Sequence, residues 1–180
     1  MNDHELERLF REYHRPLVRY LTRRLGDRDW AEEVAQETFL RALRQDVLTS
    51  ERSWLFAVAT NLVRDEARKD DRRRRQLQLL AAEEQERIAE PVEASIERAQ
   101  ERAQEQAMAR RAVDALAERD RLALLMREEG LDYNEIAEAL GLSVGSIGTT
   151  LARARRRLAE TYEALQGDAQ RRAGGSHGAH

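Results

Sequence analysis

The chain has 180 residues, room for one ordinary domain or two small ones. Charged residues make up 36% and aromatic ones 5%, with nine glycines and two prolines, which argues against a large β-rich core and for an all-helical protein. The formal net charge of −3 conceals segregation: Arg and Lys gather at 68–75 and 153–157 while Glu dominates 83–105, so local charge is the better guide to a nucleic-acid partner.

The absence of cysteine rules out disulfides and cysteinyl metal sites and fits a reducing compartment. No apolar run approaches a membrane span, and the charged start MNDHELERL has no signal-peptide character, so a soluble cytoplasmic protein without membrane insertion is expected.

In chain order, Leu6, Leu9, Phe10, Tyr13, Leu17, Val18, Leu21 and Leu25 make one long apolar helical stripe. Pro16 within it predicts a break, with the proline opening a second helix, because an interior proline costs about 3 kcal/mol. Gly26 and Asp27 end this unit. The next helix is expected from about Asp29 to Gln45 and has two faces. Trp30, Ala31, Val34, Ala35, Phe39 and Ala42 face a core, whereas Asp29, Glu33, Gln36, Glu37 and Leu40 share the opposite sector. An acidic sector with an apolar residue in it suits docking to a basic partner, and it equally fits an ordinary solvated face. A third helix, from about Ser53 to Lys69, should bury Trp54, Leu55, Val58, Ala59, Leu62 and Val63 before the chain reaches the basic run 69–75.

Residues 76–105, rich in Glu, Gln, Ala and Arg and interrupted by Pro91, read as a partly helical, charged linker. A C-terminal domain is expected at 106–166, led by Val113, Leu116, Leu122, Leu125 and Met126. Within it, 131–158 reads as two helices about a glycine turn. Gly141 suits the left-handed end of the first helix, and Ser143 can cap the second. The second has an inward stripe of Val144, Ile147, Leu151, Ala154 and Leu158. Its other face carries Ser146, Thr149, Arg153 and Arg156, followed by Arg157. Small polar groups at the start and positive charge toward the end are what a helix-turn-helix brings to a major groove. A helical hairpin with a solvated arginine face is the competing reading. Residues 167–180 are expected to form a flexible tail.

The acidic helix resembles the core-polymerase-binding segment of bacterial sigma factors, whose Gln-Glu-x-Phe pattern is met by Gln36, Glu37 and Phe39. RSWLFAVATNLVRDEARK (52–69) resembles the promoter-melting segment of that family, and 110–158 resembles its region four. The layout resembles the extracytoplasmic-function group of the sigma-70 family: an N-terminal domain at 1–75, a tether, and a helix-turn-helix domain. The resemblance implies a promoter-specificity subunit of RNA polymerase. Its acidic helix would meet a coiled coil of the largest polymerase subunit, and its second partner would be promoter DNA.

It further implies that Asn61 holds a flipped base of the minus-10 element, as an amide that donates and accepts can. Arg64, Arg68, Lys69 and Arg72 would then hold strand phosphates, although a basic helix end is also ordinary. Ser146, Thr149 and Arg153 would read the minus-35 element, with Arg156 and Arg157 on phosphate. By the same resemblance, related recognition helices often carry arginine or lysine at the positions that match Gly148 and Thr150. An anti-sigma protein is a further partner that the resemblance leaves open.

No cofactor or metal site is expected. There is no phosphate-binding glycine loop, no cysteine nucleophile and no His–carboxylate pair on a known scaffold, so an enzyme is not expected. His177 and His180 make only a weak pair of potential ligands. The alternative is a free-standing helix-turn-helix regulator with an N-terminal dimerisation or sensing domain. It accounts for 131–158 but gives the acidic helix and Asn61 no task.

Overall fold

A computed structural model describes residues 1–81 and 95–175; along 68–81 only the backbone is described. Among the described residues seven helices follow one another and there is no strand: α1 (Asp3–Leu25), α2 (Arg28–Leu43), α3 (Glu51–Ala81), α4 (Ser95–Asp114), α5 (Glu118–Glu128), α6 (Tyr133–Leu140) and α7 (Val144–Gly175). The all-helical class with a C-terminal helix-turn-helix is as expected.

α1 begins with a capping box in which Asn2 and Glu5 each bond the other's backbone N–H. It ends at Gly26, whose φ of 72° supplies the left-handed turn. The break expected at Pro16 does not occur: α1 runs through it. The lost backbone bond is outweighed by burial of Leu9, Tyr13, Leu17, Tyr20 and Leu21 along the same helix, since each such side chain contributes about 1.5–3 kcal/mol. α2 is capped by Asp27 and packs Ala31, Val34, Ala35, Phe39 and Ala42 inward, with Trp30 partly buried. α3 buries Leu55, Ala59, Leu62 and Val63, and also Phe56, which packs against the Tyr20 ring. Tyr20 is wholly buried, with its hydroxyl 2.7 Å from Thr60 Oγ1; burial pushes its pKa above the ordinary phenol value.

The two small helical domains expected along the chain also pack against each other. Buried residues of α1–α3 and of α5–α7 form one continuous apolar cluster, with α3 against α6 and α1 against α5. Arginines span the junction. Arg110 of α4 donates to the Arg23 and Arg24 carbonyls, both at 2.8 Å, satisfying acceptors that the end of α1 leaves open. Arg19 and Arg23 meet Glu129, whose side chain is buried between them. Arg52 donates to the Gly130 carbonyl at 3.1 Å and approaches Glu135. These partners lie 78–110 residues apart along the chain, which is why local patterning could not reveal them.

Two further boundaries differ from expectation. The third helix, expected to end near Lys69, runs to Ala81; the helical ends of the linker, in α3 and α4, fit a partly helical segment, and residues 82–94, including Pro91, lie outside the described residues. Residues 167–175 continue α7 instead of forming a flexible tail. His177 and His180 also lie outside the described residues.

Candidate nucleic-acid and partner interfaces

The helix-turn-helix is built as local chemistry dictates. Asp132 and Glu135 form a capping box at the start of α6, in which the Glu135 carboxylate accepts from the Asp132 N–H at 2.8 Å. Gly141 ends α6 at φ 64°, and Ser143 precedes α7. Ile147, Leu151 and Ala154 are buried and Leu158 partly so, but Val144 is exposed, contrary to its expected inward position. Thr150 is buried, so the groove-facing ridge does not include it.

Five expected minus-35 residues divide into three groups. Thr149, Arg156 and Arg157 are exposed. The Ser146 hydroxyl donates back to the Ser143 carbonyl at 2.8 Å, fixing the first turn of α7. Arg153 leans onto α5, where Nε and Nη2 donate to the Asp120 carboxylate at 2.7 and 2.5 Å. A guanidinium fork spent in this way is not free for a guanine edge. The outward ridge passes instead through Gly145, Thr149, Ala152 and Arg156, all exposed, with Arg155 beside it. Neither Asp120 nor Ala152 was marked by sequence pattern. Asp120 looks like an ordinary first-turn acid, and its partner lies 33 residues away.

On α3, Asn61 is exposed and its side-chain oxygen accepts from Arg64 Nη1 at 3.4 Å. Arg64 also meets Glu118 of α5 at 3.2 Å. Arg68, Lys69 and Arg72 fall in the stretch of α3 described by its backbone alone.

The acidic sector of α2 is on the surface. Asp29, Glu33 and Gln36 are exposed, Glu37 is half-buried and bonded to Arg41, and Leu40 is 53% exposed. Beside it lies an apolar groove of about 520 Å³ formed with α1 by Leu6, Phe10, Gln36, Phe39, Leu40 and Leu43. Phe10, counted in the α1 core stripe, is 45% exposed and stacks on His14 with ring centroids 4.3 Å apart. Phe10 and Leu43 thus extend the acidic sector into a mixed acidic and apolar face. Only their neighbours across the α1–α2 seam distinguish them from core residues.

Among the described residues no group of three His, Cys, Asp or Glu side chains is arranged to hold a metal ion, and no helix is long and apolar enough to cross a membrane.

The fold thus joins an N-terminal helical unit that carries a mixed acidic and apolar surface face to a C-terminal helix-turn-helix, the class of fold that binds DNA. Residues 9–73 match the family described as Sigma-70 region 2, and residues 106–158 match Sigma-70, region 4. The RNA polymerase sigma factor YlaC of Bacillus subtilis is 30% identical over 155 residues, covering 83% of this chain and 87% of that protein. The ferric citrate uptake sigma factor FecI of Escherichia coli is 30% identical over 152 residues, covering 82% and 85%. The sigma factor RpoE of Bartonella quintana, solved with the anti-sigma factor NepR, shares the fold with a TM-score of 0.60 at 20% identity, over 88% of this chain and 97% of that one. The chain belongs to the sigma-70 family of RNA polymerase sigma factors, in its extracytoplasmic-function group.

Proposed function

We infer that the chain binds core RNA polymerase in the cytoplasm and directs it to promoters, itself performing no catalysis. The observation that carries this is the order of two family segments on one chain, region 2 at 9–73 and region 4 at 106–158. The free-standing regulator is not favoured, since it leaves the region 2 half without a task. RNA polymerase core and promoter DNA are the partners, and an anti-sigma protein is a candidate third.

In this reading the face of Asp29, Glu33, Gln36, Glu37 and Leu40 docks on a basic coiled coil of the largest polymerase subunit. The acids steer encounter, and the adjoining apolar groove with Phe10 and Leu43 gives burial. Asn61 holds an extruded minus-10 base, with Arg64, Arg68, Lys69 and Arg72 along the strand. Thr149 and Arg156 meet the minus-35 groove, with Arg157 on phosphate. Ser146 and Arg153 support this role as structural members of the helix-turn-helix.

In vitro transcription with core polymerase on a pool of candidate promoters tests the reading. The chain should confer specific starts that core alone lacks, and Asn61→Ala should reduce strand opening while core assembly is kept. Duplex binding without core and no specific starts with it would favour the free-standing regulator.

A further inference from the structure

Arg64 of α3 and Arg153 of α7 are both tied to the first turn of α5, the one to Glu118 and the other to Asp120. Two residues of chain span at most about 7 Å, so the guanidinium groups lie within about 20 Å of each other. Minus-10 and minus-35 elements are named for positions about 25 base pairs apart, or about 85 Å of duplex at ~3.4 Å per pair. The two halves cannot serve both elements on one straight duplex in this arrangement. Reading both requires the junction to open.

Beside Asn61 and Arg64 the two halves border a cleft of about 700 Å³. Four arginines line it, Arg24, Arg64, Arg110 and Arg121, and Glu118 is the one carboxylate among its lining residues. Glu118 accepts from Arg24 at 3.3 Å and from Arg64 at 3.2 Å. Arg24 has little exposure and also donates to the Thr60 carbonyl at 3.1 Å. A carboxylate held by two guanidinium groups next to Asn61 presents the charge and the acceptor oxygens that a strand phosphate would present there.

We propose that Glu118 is an internal stand-in for a strand phosphate: it latches the C-terminal half over Arg24 and Arg64 and competes with single-stranded DNA for them. The latch rests on the reading of Arg64 as a strand-binding residue. Glu118 is half exposed, which makes the contact weak enough to be displaced. Arg19, Arg23 and Arg52, on their own partners, keep the halves aligned around it.

The test uses the full chain. Since it has no cysteine, Arg44→Cys and Glu163→Cys, both at exposed positions, allow a donor–acceptor dye pair to report the separation of the halves. Glu118→Gln keeps shape and removes charge. It should raise affinity for a mixed-sequence single-stranded oligonucleotide about threefold to fivefold, the scale of partly exposed ion pairs, so that the oligonucleotide lowers transfer efficiency at a correspondingly lower concentration than in the parent. The gain in affinity should vanish when Arg64→Ala is added. Glu160→Gln, an exposed acid on α7, controls for net charge. A transfer change that needs the same oligonucleotide concentration in Glu118→Gln as in the parent, an equal gain in Glu160→Gln, or a gain that survives Arg64→Ala overturns the proposal. Transfer efficiency does not depend on promoter activity, so loss of the sigma reading would show separately, as failure to direct core polymerase.

Discussion

Asp120 and Arg153 tie α5 to α7 through a two-point ion pair, with the Asp120 side chain almost fully buried and Arg153 about one-third exposed. The Arg153 guanidinium holds the Asp120 carboxyl below the usual carboxylate range. A group whose folded pKa is depressed stabilises the fold above its unfolded pKa, and that contribution fades as pH falls through the folded value. Asp120→Asn should therefore destabilise the protein at neutral pH by about 1.5–3 kcal/mol, the range for hydrogen bonds to charged groups. The difference between parent and variant should begin to shrink below about pH 4, where the unfolded chain's Asp120 takes up a proton, and should be gone once pH has fallen through the depressed folded value. Urea unfolding at two pH values checks this; a difference independent of pH would remove the ion pair as its cause.

The same pair separates two arginines that look alike in sequence. Arg153→Ala should cost stability, by leaving Asp120 buried without its partner, and leave the pattern of minus-35 preference unaltered. Arg156→Ala, at an exposed position, should leave stability unchanged, lower affinity on every sequence and reduce the salt slope by about one. Thermal unfolding together with holoenzyme binding to a minus-35 library at several salt concentrations distinguishes them. A preference altered by Arg153→Ala at unchanged stability would return Arg153 to base reading.

These contrasts show what patterning can and cannot reveal. The turn at Gly141, the buried stripe of α7 and the two faces of α2 were legible because their causes are local: a left-handed cap, helical spacing, a polarity alternation. Asn61 was legible only through family resemblance, since nothing in helix periodicity marks an exposed amide. The task of Arg153, by contrast, depends on an aspartate 33 positions earlier. The packing of the two halves depends on arginines reaching carbonyls and carboxylates as far as 110 residues along the chain. Pro16 misled for a related reason, because its local cost was weighed without the core that α1 buries.

Leu40 and Phe10 offer a test of the docking face that charge reversal alone does not. Both are about half exposed and border the same groove. Leu40→Asp should weaken assembly with core polymerase at least tenfold, as loss of a buried leucine contact worth about 1.5–3 kcal/mol implies, while leaving folding stability within about 0.5 kcal/mol. Glu33→Lys with Glu37→Lys should instead slow association, most visibly at low salt. Kinetic binding to core reads both effects. Assembly of Leu40→Asp at the parent's affinity would place the apolar contact elsewhere.

Gly148 lies inside α7, where glycine costs about 1 kcal/mol relative to alanine, and the structure shows no protein neighbour that requires it. A Cβ built there would meet only the edge of the Tyr133 ring, at 3.6 Å, an ordinary contact distance. Gly148 does not adopt a left-handed backbone, since positive φ among the described glycines is confined to Gly26, Gly130 and Gly141. Gly148→Ala should therefore stabilise the protein by about 0.5–1 kcal/mol through helix propensity and the reduced freedom of the unfolded chain. If close approach of DNA is what keeps glycine at this position, the same variant should lose affinity for minus-35 DNA as its melting temperature rises. Opposite signs in the two measurements would assign Gly148 to the DNA surface. Gains in stability with affinity unchanged would show that the glycine is merely tolerated. A loss of stability would contradict the packing around Tyr133.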